Sequence, residues 1–163
     1  MILDLRKIFS GEIENSPFDY EFDLSSTEIS GSHPFVSPVR VMGSVRGEDG
    51  FAHLTARTSF QFSIPCDRCA GQIDRRYEYS FSHILVGSLQ NEDDDRFIEV
   101  RDAKLNLDEL MREDILLELP TKFLCREDCR GICPVCGRNR NEGPCECEIR
   151  EAGRRRAVLH LLQ

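Results

Sequence analysis

The sequence predicts an α+β protein: an antiparallel, β-rich body with one or two helices, followed by a C-terminal cysteine-rich segment. Three observations lead there. Runs of alternating apolar and polar residues fill most of the first 100 residues, and a period of two places one set of side chains on each face of a strand. A strong helical pattern follows at 107–119. Six of the eight cysteines then crowd into CREDCRGICPVCGRNRNEGPCEC at 125–147, and the other two form CDRC at 66–69.

In chain order, ILDLRKIF (2–9), FDYEFDL (18–24), PVRVMGSV (38–45), FAHLTARTSFQFSI (51–64) and DRRYEYSFSHILV (74–86) read as strands. RGEDG at 46–50 reads as a hairpin turn, with Gly50 free to take the left-handed conformation. The strand ending at Ile64 runs into PCDRCAGQ and returns as DRRYEYSFSHILV, which puts Cys66 and Cys69 at a second hairpin tip. Antiparallel pairing is the economical arrangement. GSLQNEDDD at 87–95 lacks periodicity and reads as a solvated acidic loop, with RFIEV as a short strand beyond it.

The helix over 107–119 has Asn106 as its cap and Glu109 where a capping-box partner reaches back. Leu107, Leu110, Met111 and Leu117 share a stripe with Ile115 at its edge, read as core packing, and Pro120 stops the helix. A second helix fits 148–162, with Arg154, Arg155 and Arg156 followed by Val158, Leu159, Leu161 and Leu162, though Gly153 weakens it. The expected division is therefore a β-rich body over 1–121 and a cysteine-rich, basic-ended segment over 122–163.

A chain of 163 residues can bury a real core. No stretch approaches the roughly 20 apolar residues that cross a bilayer, and MILDLRKIFSGEIENS lacks the pattern of a secretory signal. The expectation is a cytoplasmic protein with no membrane partner, in a compartment where disulfides rarely persist and clustered thiols hold metal or do redox work. A formal charge of −8 argues against coating nucleic acid by bulk charge. The charge is uneven, however: residues 122–163 carry nine Lys/Arg against six Asp/Glu, so the body is acidic and the end mildly basic.

Two thiolates three residues apart, as in CPVCG at 133–137, can grip one metal ion; Pro134 stiffens the turn, and Gly137 allows backbone N–H groups to point at sulfur. Zinc takes four ligands in a tetrahedron at about 2.3 Å from sulfur. CEC at 145–147 supplies two more, so Cys133, Cys136, Cys145 and Cys147 make one site. Cys66, Cys69, Cys125 and Cys129 make a second, which would pin the C-terminal segment to the body. Two zinc ions, each with four cysteine ligands, account for all eight thiols. A zinc-ribbon partition joining Cys66 and Cys69 to Cys133 and Cys136 stays open, although local ligands close a site at lower entropic cost.

His33, His53, His83 and His160 lie outside the cysteine cluster and read as ordinary surface or core residues. Four thiolates leave no position for a reactive water, so the metal reads as structural; iron suits tetrahedral sulfur as well as zinc does. A thioredoxin-like role needs a βαβ setting that CDRC lacks. Arg126, Arg130, Arg138 and Arg140 lie close in sequence to the thiolates and either neutralise them or contact phosphate. With no phosphate loop, nucleophile elbow or carboxylate pair, the expectation is a non-enzyme without a small-molecule substrate.

These features resemble the YceD family, also called DUF177, whose members are described as large ribosomal RNA subunit accumulation proteins. The most specific parts are CDRC at 66–69, EDILLELP at 113–120 and RGICPVCG at 130–137. Family members with this cysteine set often carry Leu where Arg140 stands in GRNRN, a departure that bears on local packing. The resemblance implies a role in accumulating or processing large-subunit ribosomal RNA, and it supplies no catalytic residues.

Three readings follow. In the leading one, a zinc-stabilised assembly factor binds ribosomal RNA, ribosomal proteins or both, with Lys122, Arg154, Arg155 and Arg156 meeting RNA phosphates. The second is a protein-interaction module with purely structural zinc. The third is a thiol redox or electron-transfer protein.

Overall fold

The structure is a computed structural model that describes residues 1–48, 50–87 and 96–147. The expected helix over 148–162, with Arg154, Arg155, Arg156 and His160, lies outside the described residues, as does 88–95 of the acidic stretch.

The elements run β1 (Ile2–Asp4), α1 (Arg6–Phe9), β2 (Asn15–Phe22), β3 (Val39–Glu48), β4 (Phe51–Pro65), β5 (Gln72–Val86), β6 (Phe97–Glu99), a 3-10 turn (Arg101–Ala103), β7 (Lys104–Asn106) and α2 (Leu107–Glu118). Five strands form one sheet in the order β2-β3-β4-β5-β6, and β1 pairs with β7 in a two-stranded sheet. The fold is α+β and β-rich, with antiparallel β2–β3 and β3–β4 pairs. β3 and β4 close on Glu48 opposite Phe51, so the loop at RGEDG has two residues, and Gly50 takes φ +92°.

Chain contacts divide the molecule into two compact units, Met1–Phe62 with Asp74–Leu119, and Ser63–Ile73 with Pro120–Gln163. The second unit thus draws on the turn between β4 and β5 as well as on the C-terminal segment.

In the first unit, alternation along β4 buries Ala52, Leu54, Ala56, Thr58, Phe60 and Phe62, and along β3 it buries Val39, Val41 and Val45. Phe60 lies against Tyr77 of β5 with ring centroids 5.8 Å apart, and Phe35 meets Phe62 edge-on at 5.2 Å. Gly43 interrupts the β3 series for a steric reason. It stands opposite both Phe18 and Ala56, and a Cβ there would lie 2.0 Å from the Thr55 carbonyl oxygen and 2.8 Å from the Phe18 ring.

Helix α2 begins where its cap sequence places it. The Asn106 side chain accepts from the Glu109 backbone N–H at 3.5 Å and donates to the Glu109 carboxylate at 3.3 Å. His83 of β5 meets Asp114 of α2 at 2.8 Å, a half-buried polar contact that joins helix to sheet.

Two expectations need correction, and one expected strand takes a pairing direction that the sequence left open. ILDLRKIF is not one strand: only Ile2–Asp4 pairs, and Arg6–Phe9 is helical. Leu5 and Ile8, three apart, are both buried, which a helical turn achieves and a strand does not. The short strand within RFIEV runs parallel to β5, with Ile84 opposite Phe97. The α2 stripe centres on Leu107, Met111 and Ile115, all fully buried, while Leu117 is 85% exposed. Spacing of four keeps the first three on one line of the helix, and 117 falls off it.

Substituting Gly43→Ala is expected to lower stability by about 2 kcal/mol through overpacking. A denaturant midpoint unchanged from that of the parent protein would contradict this account of β3.

Candidate metal centres

The eight cysteines are all free thiols. They gather in two groups, Cys66 with Cys69, Cys125 and Cys129, and Cys133 with Cys136, Cys145 and Cys147; within each group every sulfur lies within 4.8 Å of the others. Both groups belong to the second unit. The zinc-ribbon partition does not occur, because Cys66 and Cys69 share no group with Cys133 and Cys136.

The first group starts from the tight turn after Pro65. There the Ala70 N–H donates to the Cys66 carbonyl at 2.9 Å, and the Cys66 N–H to the Gly71 carbonyl at 2.8 Å. Asp67 then brings in the distant ligands. Its backbone N–H donates to the Phe123 carbonyl at 2.8 Å, and its carboxylate accepts from the Phe123 N–H at 2.7 Å. Two residues on, the Cys125 N–H points at Cys66 Sγ at 3.4 Å. Arg68 donates to the Cys129 carbonyl at 3.0 Å and so positions the fourth ligand.

The second group repeats the turn. The Gly137 N–H donates to the Cys133 carbonyl at 2.8 Å, the Cys133 N–H to the Arg138 carbonyl at 2.8 Å, and a bridge between Ile132 and Asn139 flanks the turn. The residue after the second cysteine has positive φ in both turns, +72° at Gly137 and +57° at Ala70. Only the second group's turn carries the side-chain-free residue that this conformation favours.

The donor sets fit a tetrahedral ion. Four sulfurs about 2.3 Å from a centre stand about 3.8 Å from one another. Cys66 and Cys129 are 3.8 Å apart, and Cys69 and Cys125 3.6 Å. A disulfide requires about 2.05 Å. Hence each group can hold one metal ion through four thiolates, and among the described residues no histidine belongs to either.

The electrostatics fit as well. Burial works against the Cys66 thiolate, yet backbone N–H groups of Cys125, Arg68 and Cys69 outweigh it and hold the thiol down to about 6. N–H groups of Cys136 and Val135 hold Cys133 down to about 7. The Asn141 side chain lowers Cys129. Burial, reinforced by the neighbouring sulfurs, pushes Cys125 up to about 12. The contact with Cys136, with burial, pushes Cys147 up to about 11. Thiolates crowded together without a cation force their neighbours to keep protons, and a dication removes that conflict.

Sequence reasoning missed Asp67, Arg68 and Asn141, which carry no signal of their own outside the folded turn. Arg126, expected beside the thiolates, turns instead to Asn141 at 2.8 Å and Asp128 at 3.4 Å. Lys122 is exposed in the second unit, and Arg154, Arg155 and Arg156 lie outside the described residues. Among those residues no helix is long and apolar enough to cross a membrane.

Comparison with known proteins places the chain in a family. A family model described as "Large ribosomal RNA subunit accumulation protein YceD" matches residues 54–163, which takes in all eight cysteines. The chain belongs to the YceD family. The uncharacterized protein YlbN of Bacillus subtilis is 27% identical over 126 residues, covering 75% of this chain and 73% of that protein. An uncharacterized protein of Mycobacterium tuberculosis is 28% identical over 76 residues, 44% of this chain and 37% of the relative. No solved structure matches. The YceD description associates the chain with accumulation of large-subunit ribosomal RNA.

Two outcomes are expected. Because Cys125 and Cys147 are protonated at neutral pH, metal binding expels protons, so affinity rises with pH and falls on acidification. Calorimetric titration in buffers of different ionisation enthalpy measures this, and binding without proton release would refute it. Chelation should also erase ordered amide signals from 63–73 and 120–147 while leaving those of the β3–β4 hairpin, a pattern that NMR reads directly.

Proposed function

We propose that this YceD-family protein is a non-enzymatic, zinc-stabilised factor that supports large-subunit ribosomal RNA accumulation by binding ribosomal RNA, ribosomal proteins or both. The observation that carries the reading is the family match over a segment whose cysteines close two tetrahedral thiolate sites. Four thiolates occupy every position of such a site, which leaves no place for an activated water and speaks for structure over catalysis. The metal's work is then to hold the second unit together. Among its described residues, only Ile64, Ile73 and Phe123 are buried side chains of the aliphatic or aromatic kind; the other buried hydrophobic residues are cysteines.

Zinc suits this role because it is redox-silent and indifferent to distortion of the tetrahedron. Iron is the other metal that four thiolates favour, and it would announce itself by colour. Two zinc equivalents per chain, on protein purified without added metal, is the result that supports the reading.

RNA contact runs through the basic end, Lys122 and Arg154–Arg156. A protein-partner reading also has support from charge. In the described part of the second unit, Arg68, Lys122, Arg126, Arg130, Arg138 and Arg140 stand against Asp67, Glu127, Asp128, Glu142 and Glu146. Each filled thiolate site adds two further negative charges, so without its basic end the loaded unit is acidic and favours basic protein surfaces over phosphate.

Replacing Arg154, Arg155 and Arg156 together by Ala separates the two. If the end neutralises phosphates, large-subunit ribosomal RNA binding falls and the slope of affinity against salt becomes shallower by about one unit per lost contact. Unchanged affinity and slope would remove RNA contact through these arginines, and recovery of ribosomal proteins after complete nuclease treatment would favour the protein reading.

A further inference from the structure

We infer that the two thiolate groups are energetically coupled through Asn141, so that closing the second group strengthens metal binding by the first. The inference rests on the metal reading above and extends it to how the sites load.

Asn141 lies in the loop between Cys136 and Cys145, and those two cysteines belong to the second group. Its side chain nevertheless serves the first. Nδ2 donates to Cys129 Sγ at 3.3 Å and to Asn139 Oδ1 at 2.8 Å, while Oδ1 accepts from the Arg130 backbone N–H and from Arg126, each at 2.8 Å. These partners leave the carboxamide one orientation: the oxygen faces two donors, and the nitrogen faces a sulfur and an oxygen. An N–H aimed at a coordinating sulfur stabilises the thiolate the ion requires, and losing such a contact typically costs 10- to 100-fold in metal affinity.

The position of that N–H depends on the second group. Cys136 and Cys145 anchor the two ends of the loop, and their convergence around one ion restricts the chain between them. A second link runs through the backbone: the Ile132 N–H, one residue before Cys133, donates at 3.1 Å to the carbonyl of Arg68, which lies between Cys66 and Cys69. The Arg140 N–H, beside Asn141, donates at 2.8 Å to the Gly131 carbonyl. The coupling is reciprocal in affinity, as any linkage between two binding sites must be. It need not be symmetric in rate. Cys136 is exposed, whereas Cys66, Cys69 and Cys129 are buried, so a chelator opens the second group first, and the first group's ion, weakened by that opening, follows in the same phase.

The experiment uses the full chain, metal-free and reduced, with cobalt(II) as probe in competition with a chromophoric chelator. Wild type, Asn141→Asp, Cys136→Ser and the double variant form a cycle. Asn141→Asp keeps the acceptor that Arg126 and Arg130 use and removes the donor to sulfur. With the second group intact, it is expected to weaken the first group's affinity about tenfold. In the Cys136→Ser background, the same change should have no effect on the first group. An equal loss in both backgrounds, or a loss in neither, overturns the coupling.

Should Cys136→Ser fail to fold, chelator-driven release from the other two proteins decides. Both ions should leave wild type in a single phase and Asn141→Asp in two. Two phases already in wild type overturn the coupling. A wild-type chain that binds no cobalt overturns the metal reading itself, which a failed cycle does not.

Discussion

Four sulfurs gathered within 4.8 Å of one another repel as thiolates unless a cation draws them together, and the second unit carries two such groups. Among its described residues the hydrophobic complement is small: Ile64, Ile73 and Phe123 are buried, and the remaining buried hydrophobic positions are cysteines. Ordering a segment of this length against so little apolar surface is ordinarily unfavourable, and small domains make up the difference with disulfides or metal. Here the pair Cys66 and Cys129 spans 63 residues and the pair Cys69 and Cys125 spans 56, so the first group also brings together the ends of two long loops.

Backbone dipoles prepare these sulfurs. The two Cys-x-x-Cys turns share one hydrogen-bond pattern, with N–H groups curled toward the leading cysteine, and they lower the pKa values of Cys66 and Cys133 alike. Asp67 and Arg68 then hold the chain after Pro120 in place by ordinary hydrogen bonds to its backbone. Backbone pairing thus gathers the same sulfurs that a metal ion would bind, which is the consistency across levels that a unique fold requires.

The first unit follows a different logic. Alternation along β3 and β4 supplies its core, Gly43 lets Phe18 and Thr55 approach, and α2 presents Leu107, Met111 and Ile115 on one line. None of this needs metal. The YceD match begins at residue 54, within β4, and runs through both thiolate groups, so the part of the chain it covers includes both cysteine sites.

Much of this was legible from residue order because it is local. A hairpin turn within RGEDG at 46–50, a capped helix from 107 and paired thiols three apart depend on neighbours within a few positions, and their physics is complete at that range. Sequence also determined that eight thiols suffice for two closed sites. Tertiary structure alone decided the rest. The helical turn at Arg6–Phe9, the β1–β7 pair and the parallel β6 follow from which surfaces become buried, information that no short window contains. The division of the thiols was likewise decided in space, where the pairing of Asp67 with Phe123 delivers Cys125 to Cys66. A side-chain amide such as Asn141 acquires a role only when folding sets a sulfur 3.3 Å from it.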